Sequence, residues 1–357
     1  MTDLFSPLTL GDITTANRIL MAPLTRCRAE RDHVPTALMA EYYAQRASAG
    51  LIIAEATMIL PGNSAFWHEP GIYSDEQIQG WRLVTDAVHH AGGKIALQIW
   101  HGGRACHPDL NDGAIPVAPS AIAISNEEVH TPKGKQAYTL PRALLDEEIP
   151  AIVEGFAQAA RNALAAGFDM VEIHGANGYL LDEFLRDGSN LRTGPYGGSR
   201  ENRARLLFET VAAVCDAIGA DKVGIRLSPL NSFNDMRDSD PIHLLGWLAD
   251  RLNAYGLAYL HVIRADFYGR QTGDVLSVAR QNFQGALIAN MGYSPEEAKN
   301  AVASGQIDAI AFGTAFLANP DLPARIYRHR SLNVPDSATF YTAGAKGYTD
   351  YPSLEKI

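Results

Sequence analysis

Eight short apolar runs punctuate the chain: Ile19–Ala22, Leu51–Ala56, Lys94–Trp100, Met170–His174, Lys222–Arg226, Tyr259–Ile263, Ala286–Ala289 and Ala309–Phe312. Between them lie longer stretches of helical period, among them Ile78–His90, Glu147–Ala166, Glu201–Ile218, Pro241–Ala254 and Pro295–Ser304. Strand-length runs separated by helix-length crossovers predict parallel strands. Eight such units are the number that closes a parallel barrel, so the expected class is α/β, a TIM (β/α)8 barrel. An open doubly wound sheet is the alternative from the pattern alone. Its dinucleotide site needs G-x-G-x-x-G at the first strand-to-helix turn. No two of the 31 glycines lie two positions apart, so even the G-x-G core is missing.

Boundary signals support the helices. Asp146 before Glu147-Glu148 reads as an N-cap with an acidic first turn, and Gly167 follows the last turn. Asp240-Pro241 and Ser294-Pro295-Glu296-Glu297 read as caps with proline at the first helical position. Three segments exceed a minimal barrel. Residues 1–18 read as a hairpin turning at Leu10-Gly-Asp-Ile13, placed to plug the barrel bottom. Residues 101–145, rich in Pro, Gly, Asn and Ser, read as a lid insertion after strand three. Residues 335–357 form a C-terminal tail. The expectation is one domain over 1–357.

Composition narrows the function classes. A formal net charge of −10 with no basic stripe argues against nucleic acid. Cys27, Cys106 and Cys215 are odd in number and form no C-x-x-C, so no disulfide framework is expected. Leu51–Leu60 is too short for a membrane span and contains Glu55, and the N-terminus has no signal-peptide pattern. A cytoplasmic protein, monomer or homodimer, is expected. His89, His90, His101 and His107 lack a metal-ligand spacing, so no metal is expected.

In a barrel of this kind chemistry sits at the C-terminal strand ends. Strand one runs into Pro23-Leu-Thr25, strand two ends at Ala56, and strand three offers Gln98 and Trp100 on one face. Strand four delivers His174-Gly-Ala-Asn177-Gly-Tyr179, and strand five ends with Arg226. Strands seven and eight lead to Asn290-Met291-Gly292 and Gly313-Thr314, the usual phosphate position of such barrels. His and Asn can hold an oxygen through two donors, and Tyr carries a weakly acidic proton.

These motifs carry a resemblance. Met21-Ala-Pro-Leu-Thr25-Arg, Glu41-Tyr-Tyr-Ala-Gln-Arg, Gln98-Ile-Trp100-His-Gly-Gly-Arg104, His174-Gly-Ala-Asn177-Gly-Tyr179, Tyr196-Gly-Gly-Ser199 and Ala318-Asn-Pro-Asp-Leu-Pro together resemble the old yellow enzyme family of FMN-dependent ene-reductases, end to end. The resemblance implies FMN across the barrel mouth, with its phosphate at Gly292 and Gly313-Thr314. The ring would be contacted by Pro23, Thr25, Ala56, Gln98, His174, Arg226, Asn290 and Met291. Thr25 would donate to flavin O4, Gln98 would bond the pyrimidine edge, and Arg226 would offset charge near N1. NADPH or NADH would be the hydride donor. An alkene conjugated to a carbonyl or nitro group would be the acceptor, its oxygen held by His174 and Asn177 and its α-carbon protonated by Tyr179. Phe66, Trp100 and Tyr341 would form the substrate pocket.

Two departures stand out. Family members commonly carry Arg immediately after the strand-eight glycine, where this chain has Thr314. The lost charge-assisted bond, roughly 1.5–3 kcal/mol, implies FMN binding about ten- to a hundredfold weaker. One family branch places Cys where Thr25 stands; Cys27 lies two residues later. Two other functions compete. Another FMN barrel, such as a 2-hydroxy-acid oxidase or a dihydroorotate-type dehydrogenase, would need its catalytic His or Cys base at other strand ends. A flavin-binding sensor would have no use for Tyr179 beside His174 and Asn177.

Overall fold

The computed structural model describes residues 3–125 and 127–354. Strands β1 (Ile19–Met21), β2 (Ile52–Met58), β3 (Ile95–Trp100), β4 (Met170–Gly175), β5 (Val223–Leu227), β6 (Tyr259–Ile263), β7 (Ala286–Asn290) and β8 (Ala309–Phe312) pair in chain order. All pairings are parallel, and β8 pairs with β1 to close the barrel. Each of the eight apolar runs is a barrel strand.

The crossovers are α1 (Ala37–Ala44), α2 (Asp75–His90), α3 (Ile149–Ala165), α4 (Arg205–Ile218), α5 (Pro241–Leu252), α6 (Val275–Asn282), α7 (Pro295–Ala303) and α8 (Leu322–Tyr327). Local chemistry starts several of them. Ser74 and Gln77 form a capping box on α2, Asp240 accepts from the His243 N–H on α5, and Ser294 accepts from Glu297 on α7. Asp146 does not cap α3. A 3-10 turn over Asp146–Glu148 precedes the helix, Glu148 accepts from the Leu145 N–H at 2.7 Å, and Asp146 pairs with Arg192. Helices α1, α6 and α8 span only eight, eight and six residues, too few for a facial period to stand out in sequence.

Alternation along the strands divides the apolar side chains into two shells. One, including Ile19, Ile52, Leu97, Val171, Ile225 and Leu260, packs outward against the helices. The other fills the lower barrel with Leu20, Ile53, Ala96, Met170, Tyr259, Ile288 and Ala309. The antiparallel hairpin Leu8–Leu10/Ile13–Thr15 closes this end, with Leu10 and Ile13 packed into the same cluster. Its turn needs Gly11, where φ is +56° and a Cβ would sit 1.7 Å from the Asp221 carbonyl oxygen. Between β3 and α3 the 101–145 segment carries a second hairpin, Glu128–Thr131 with Gly134–Ala137.

Leu10 is fully buried at the barrel end opposite the strand C-termini. Leu10→Ala should therefore cost about 2–5 kcal/mol of stability while leaving ligand binding at the mouth intact. Thermal unfolding alongside an FMN titration checks this, and a lost cofactor site with unchanged melting would contradict the assignment of ends.

Candidate active site

At the strand C-termini two adjoining cavities of about 500 and 330 Å³ share Pro23, Leu24, Asn177, Arg226, Phe267 and Thr314. The first is completed by Asn290, Met291, Gly292 and Gly313, the second by Thr25, Ala56, Phe66, Gln98, His174, Tyr179 and Tyr341. Apart from Trp100, every site residue expected from the sequence lines one of them. Trp100 is fully buried behind the wall, with its ring edge-on to Tyr179 at 4.3 Å and its other neighbours Phe66 and His174 about a ring further off.

Strand pairing sets the polar groups in a row. His174 is level with Arg226, and Arg226 with His261. Burial holds the His174 imidazole well below its usual pKa, and the neighbouring Arg226 and His261 act in the same direction. It is therefore neutral and carries a single N–H. Its Nδ1 is buried without a hydrogen-bond partner among the described residues. Asn177 sits at φ +60° with its N–H donating to Ser228 Oγ at 2.8 Å. Asn231 Nδ2 donates to Asn177 Oδ1 at 2.8 Å, which turns the Asn177 NH2 group away from that contact as a free donor. Tyr179 lies at the N-terminus of the short helix Leu180–Leu185, its ring 5.2 Å from that of His174. Burial, then Tyr138 and Tyr341, push its phenol well above the ordinary value, so it keeps its proton. Two neutral donors and one proton-bearing hydroxyl thus face one cavity.

Arg226 stands at the junction of the cavities. Its Nη2 donates to Asn290 Oδ1 at 2.6 Å, while its buried Nε has no hydrogen-bond partner among the described residues. Burial opposes its charge and the Glu172 carboxylate supports it. A β-bulge sets Ala56: Ala54 pairs with Leu97 but Thr57 with Ile99, so one extra residue is inserted. The bulge turns Ala56 to the cavity and sends Glu55 outward, where it accepts from Arg26 N at 3.1 Å and Tyr43 Oη at 3.0 Å. At the far end Met291 and Gly292 take φ of +89° and +70°, and the exposed Thr314 opens the five-residue helix Thr314–Ala318.

Several contributors escaped the sequence reading. Strand ends one to five, seven and eight were read for inward residues; strand six was not, and it carries buried His261 and, just beyond, Arg264. The Arg264 guanidinium lies 3.6 Å over the Tyr293 ring and donates to Met291 O at 2.8 Å and Gly292 O at 3.1 Å, so it rivets the loop after β7. Phe233 and Phe267 also line the mouth, from loops whose sequence offers no period. Finally, Arg26 donates to Phe340 O and Gly347 O, and Arg28 to Thr339 O and Phe340 O, pinning the tail so that Tyr341 stacks on Phe66.

The cavities fit a flavin mononucleotide on their own terms. A mixed apolar and polar seat has an unpartnered guanidinium nitrogen at its centre, and one end is walled by Gly292 and Gly313. Comparison with known proteins agrees. The sequence model of the NADH:flavin oxidoreductase / NADH oxidase family matches residues 3–333. A probable flavin mononucleotide-dependent alkene reductase of Leishmania infantum is 52% identical over 98% of this chain and 97% of its own length. The old yellow enzyme from Trypanosoma cruzi superposes with a TM-score of 0.96 at 45% identity, over 99% of both chains. Morphinone reductase does so with a TM-score of 0.94 at 46% identity, over 99% of this chain and 96% of the other. With a parallel eight-stranded barrel, a flavin-sized mouth and these full-length relatives, the chain belongs to the NADH:flavin oxidoreductase family of old yellow enzymes.

Proposed function

We propose that this protein is an FMN-dependent ene-reductase that uses NADPH or NADH to reduce alkenes conjugated to a carbonyl or nitro group. The observation that carries the reading is the convergence of His174, Asn177 and Tyr179 on the cavity that Arg226 shares. FMN would be held by Pro23, Thr25, Ala56, Gln98, Arg226 and the Asn290–Gly292 and Gly313–Thr314 loops, and when bound it supplies the hydride that passes from nicotinamide to alkene.

The neutral His174 N–H and the Asn177 NH2 bind the substrate oxygen and draw electron density from the double bond. Asn231 keeps the Asn177 amide in the donating orientation. Tyr179 provides the proton for the α-carbon, and its raised pKa keeps that proton in place between turnovers. Phe66 and Tyr341 form the outer wall. Residues 101–145 act as a lid, since Ile124 and Tyr138 pack into the cluster around Trp100 and Tyr179. A cytoplasmic location suits a nicotinamide donor and three unpaired cysteines.

Tyr179→Phe should lower alkene turnover about 10²–10⁴-fold while flavin reduction by NADPH or NADH keeps its rate. Rapid mixing of the two half-reactions separates these steps, and undiminished enone turnover would remove Tyr179 from its role. Thr314→Arg should tighten FMN about tenfold or more, because a guanidinium would replace an exposed hydroxyl at the phosphate end. Titration of the two apo-proteins with FMN measures this; equal dissociation constants would show that the loop supplies enough without it.

A further inference from the structure

One layer below the mouth, at the centre of the barrel, lies a carboxylate that the reaction above does not use. Glu172 is fully buried and lines neither cavity. Gln98 Nε2 donates to its Oε1 at 2.8 Å and His261 Nδ1 to its Oε2 at 2.8 Å, and the buried Tyr259 phenol acts on the same carboxylate. Gly224, level with Glu172, leaves room for the Tyr259 ring beside it, since a Cβ there would sit 2.1 Å from that ring. Filling a barrel does not require a buried charge, and the apolar cluster in the lower barrel is built from residues such as Leu20, Ile53, Met170 and Ala309. An ionised carboxylate only accepts, so the Gln98 amide must turn its NH2 toward Glu172. That leaves the Gln98 Oε1 for the cavity it lines. Arg226, a layer above on β5, is the guanidinium whose charge Glu172 supports.

We propose that Glu172 is a positioning residue for the flavin seat: it holds Gln98 with its carbonyl oxygen toward the mouth, ready to accept from the imide N–H of the ring, and as a standing negative charge beneath Arg226 it keeps the bound flavin's reduction potential low. The proposal rests on the FMN reading above. Reduction adds negative charge to the ring, and Glu172 competes with that charge for the same guanidinium in a site of low dielectric. The potential is therefore a balance between Arg226, which raises it, and Glu172, which lowers it.

The test compares FMN-loaded wild type with Glu172→Gln, Glu172→Asp and His261→Leu, after FMN content per chain has been measured from released cofactor. Midpoint potentials are then read by equilibration with reference dyes. Glu172→Gln removes the charge and can donate to Gln98, so reduced FMN should gain about tenfold over oxidised FMN, a positive shift of ~30 mV for a two-electron couple. His261→Leu removes a donor to the carboxylate but not its charge, so its potential should lie nearer wild type than that of Glu172→Gln does. It disturbs no other side-chain bond, because His261 Nε2 has no partner among the described residues. Glu172→Asp keeps the charge and should lie nearer wild type than Glu172→Gln does. An unchanged potential in Glu172→Gln holding one FMN per chain overturns the proposal. A wild-type chain that takes up no FMN overturns the earlier reading, and this proposal with it.

Discussion

Parallel closure of eight strands is the constraint from which the site follows. Every strand runs in the same direction, so every strand presents its C-terminal end to one rim, and residues level in the ladder become neighbours there. His174, Arg226 and His261 stand side by side for this reason, although a full βα unit of chain separates each from the next. The arrangement sets their chemistry. Burial holds both imidazoles below their usual pKa and the Arg226 guanidinium between them acts in the same direction, outweighing the Glu172 carboxylate that favours charge on His261. A neutral His174 can then donate a hydrogen bond into the cavity without delivering a full proton.

The mouth is finished by a second, less regular device. Arg26, Arg28 and Arg46 are buried and spend their donors chiefly on backbone carbonyls rather than carboxylates. Arg46 reaches Phe316 O, Leu317 O and Tyr348 O, while Tyr42 and Tyr348 stack at 4.0 Å beside it. A planar fork with five donors can hold several peptide groups at once, which no carboxylate pair could do for an irregular tail. The tail is in this way fixed against the loop after β1, and Phe340 and Tyr341 become pocket wall. Bonds of this kind join residues some three hundred positions apart and leave no periodic trace.

Much of the frame was legible in the chain because its signals are local. Apolar runs of strand length, caps at Asp240 and Ser294, and the Leu10–Ile13 turn each depend on neighbours within a few residues. The strand-end rule then placed Thr25, Ala56, Gln98, His174, Asn177, Tyr179, Arg226 and the glycines on one rim. It could not show that Trp100 is turned behind the wall rather than into it. Nor could it show that Asp146 pairs with Arg192 instead of capping α3, since both choices satisfy the same carboxylate.

By itself, then, the order of residues determined the number and direction of the strands, the fold they close into, and most of the strand-end side chains at the mouth, because alternation and chain length are properties of short stretches. Only the tertiary structure decided the states of those side chains. The bulge that turns Ala56 inward, the Asn231 contact that orients Asn177, the Glu172 contact that orients Gln98, and the burial that keeps His174 neutral and Tyr179 protonated all arise between strands and loops distant in sequence. Hydrogen-bond direction and desolvation are set by what surrounds a group in space, and that is known only once the barrel has closed.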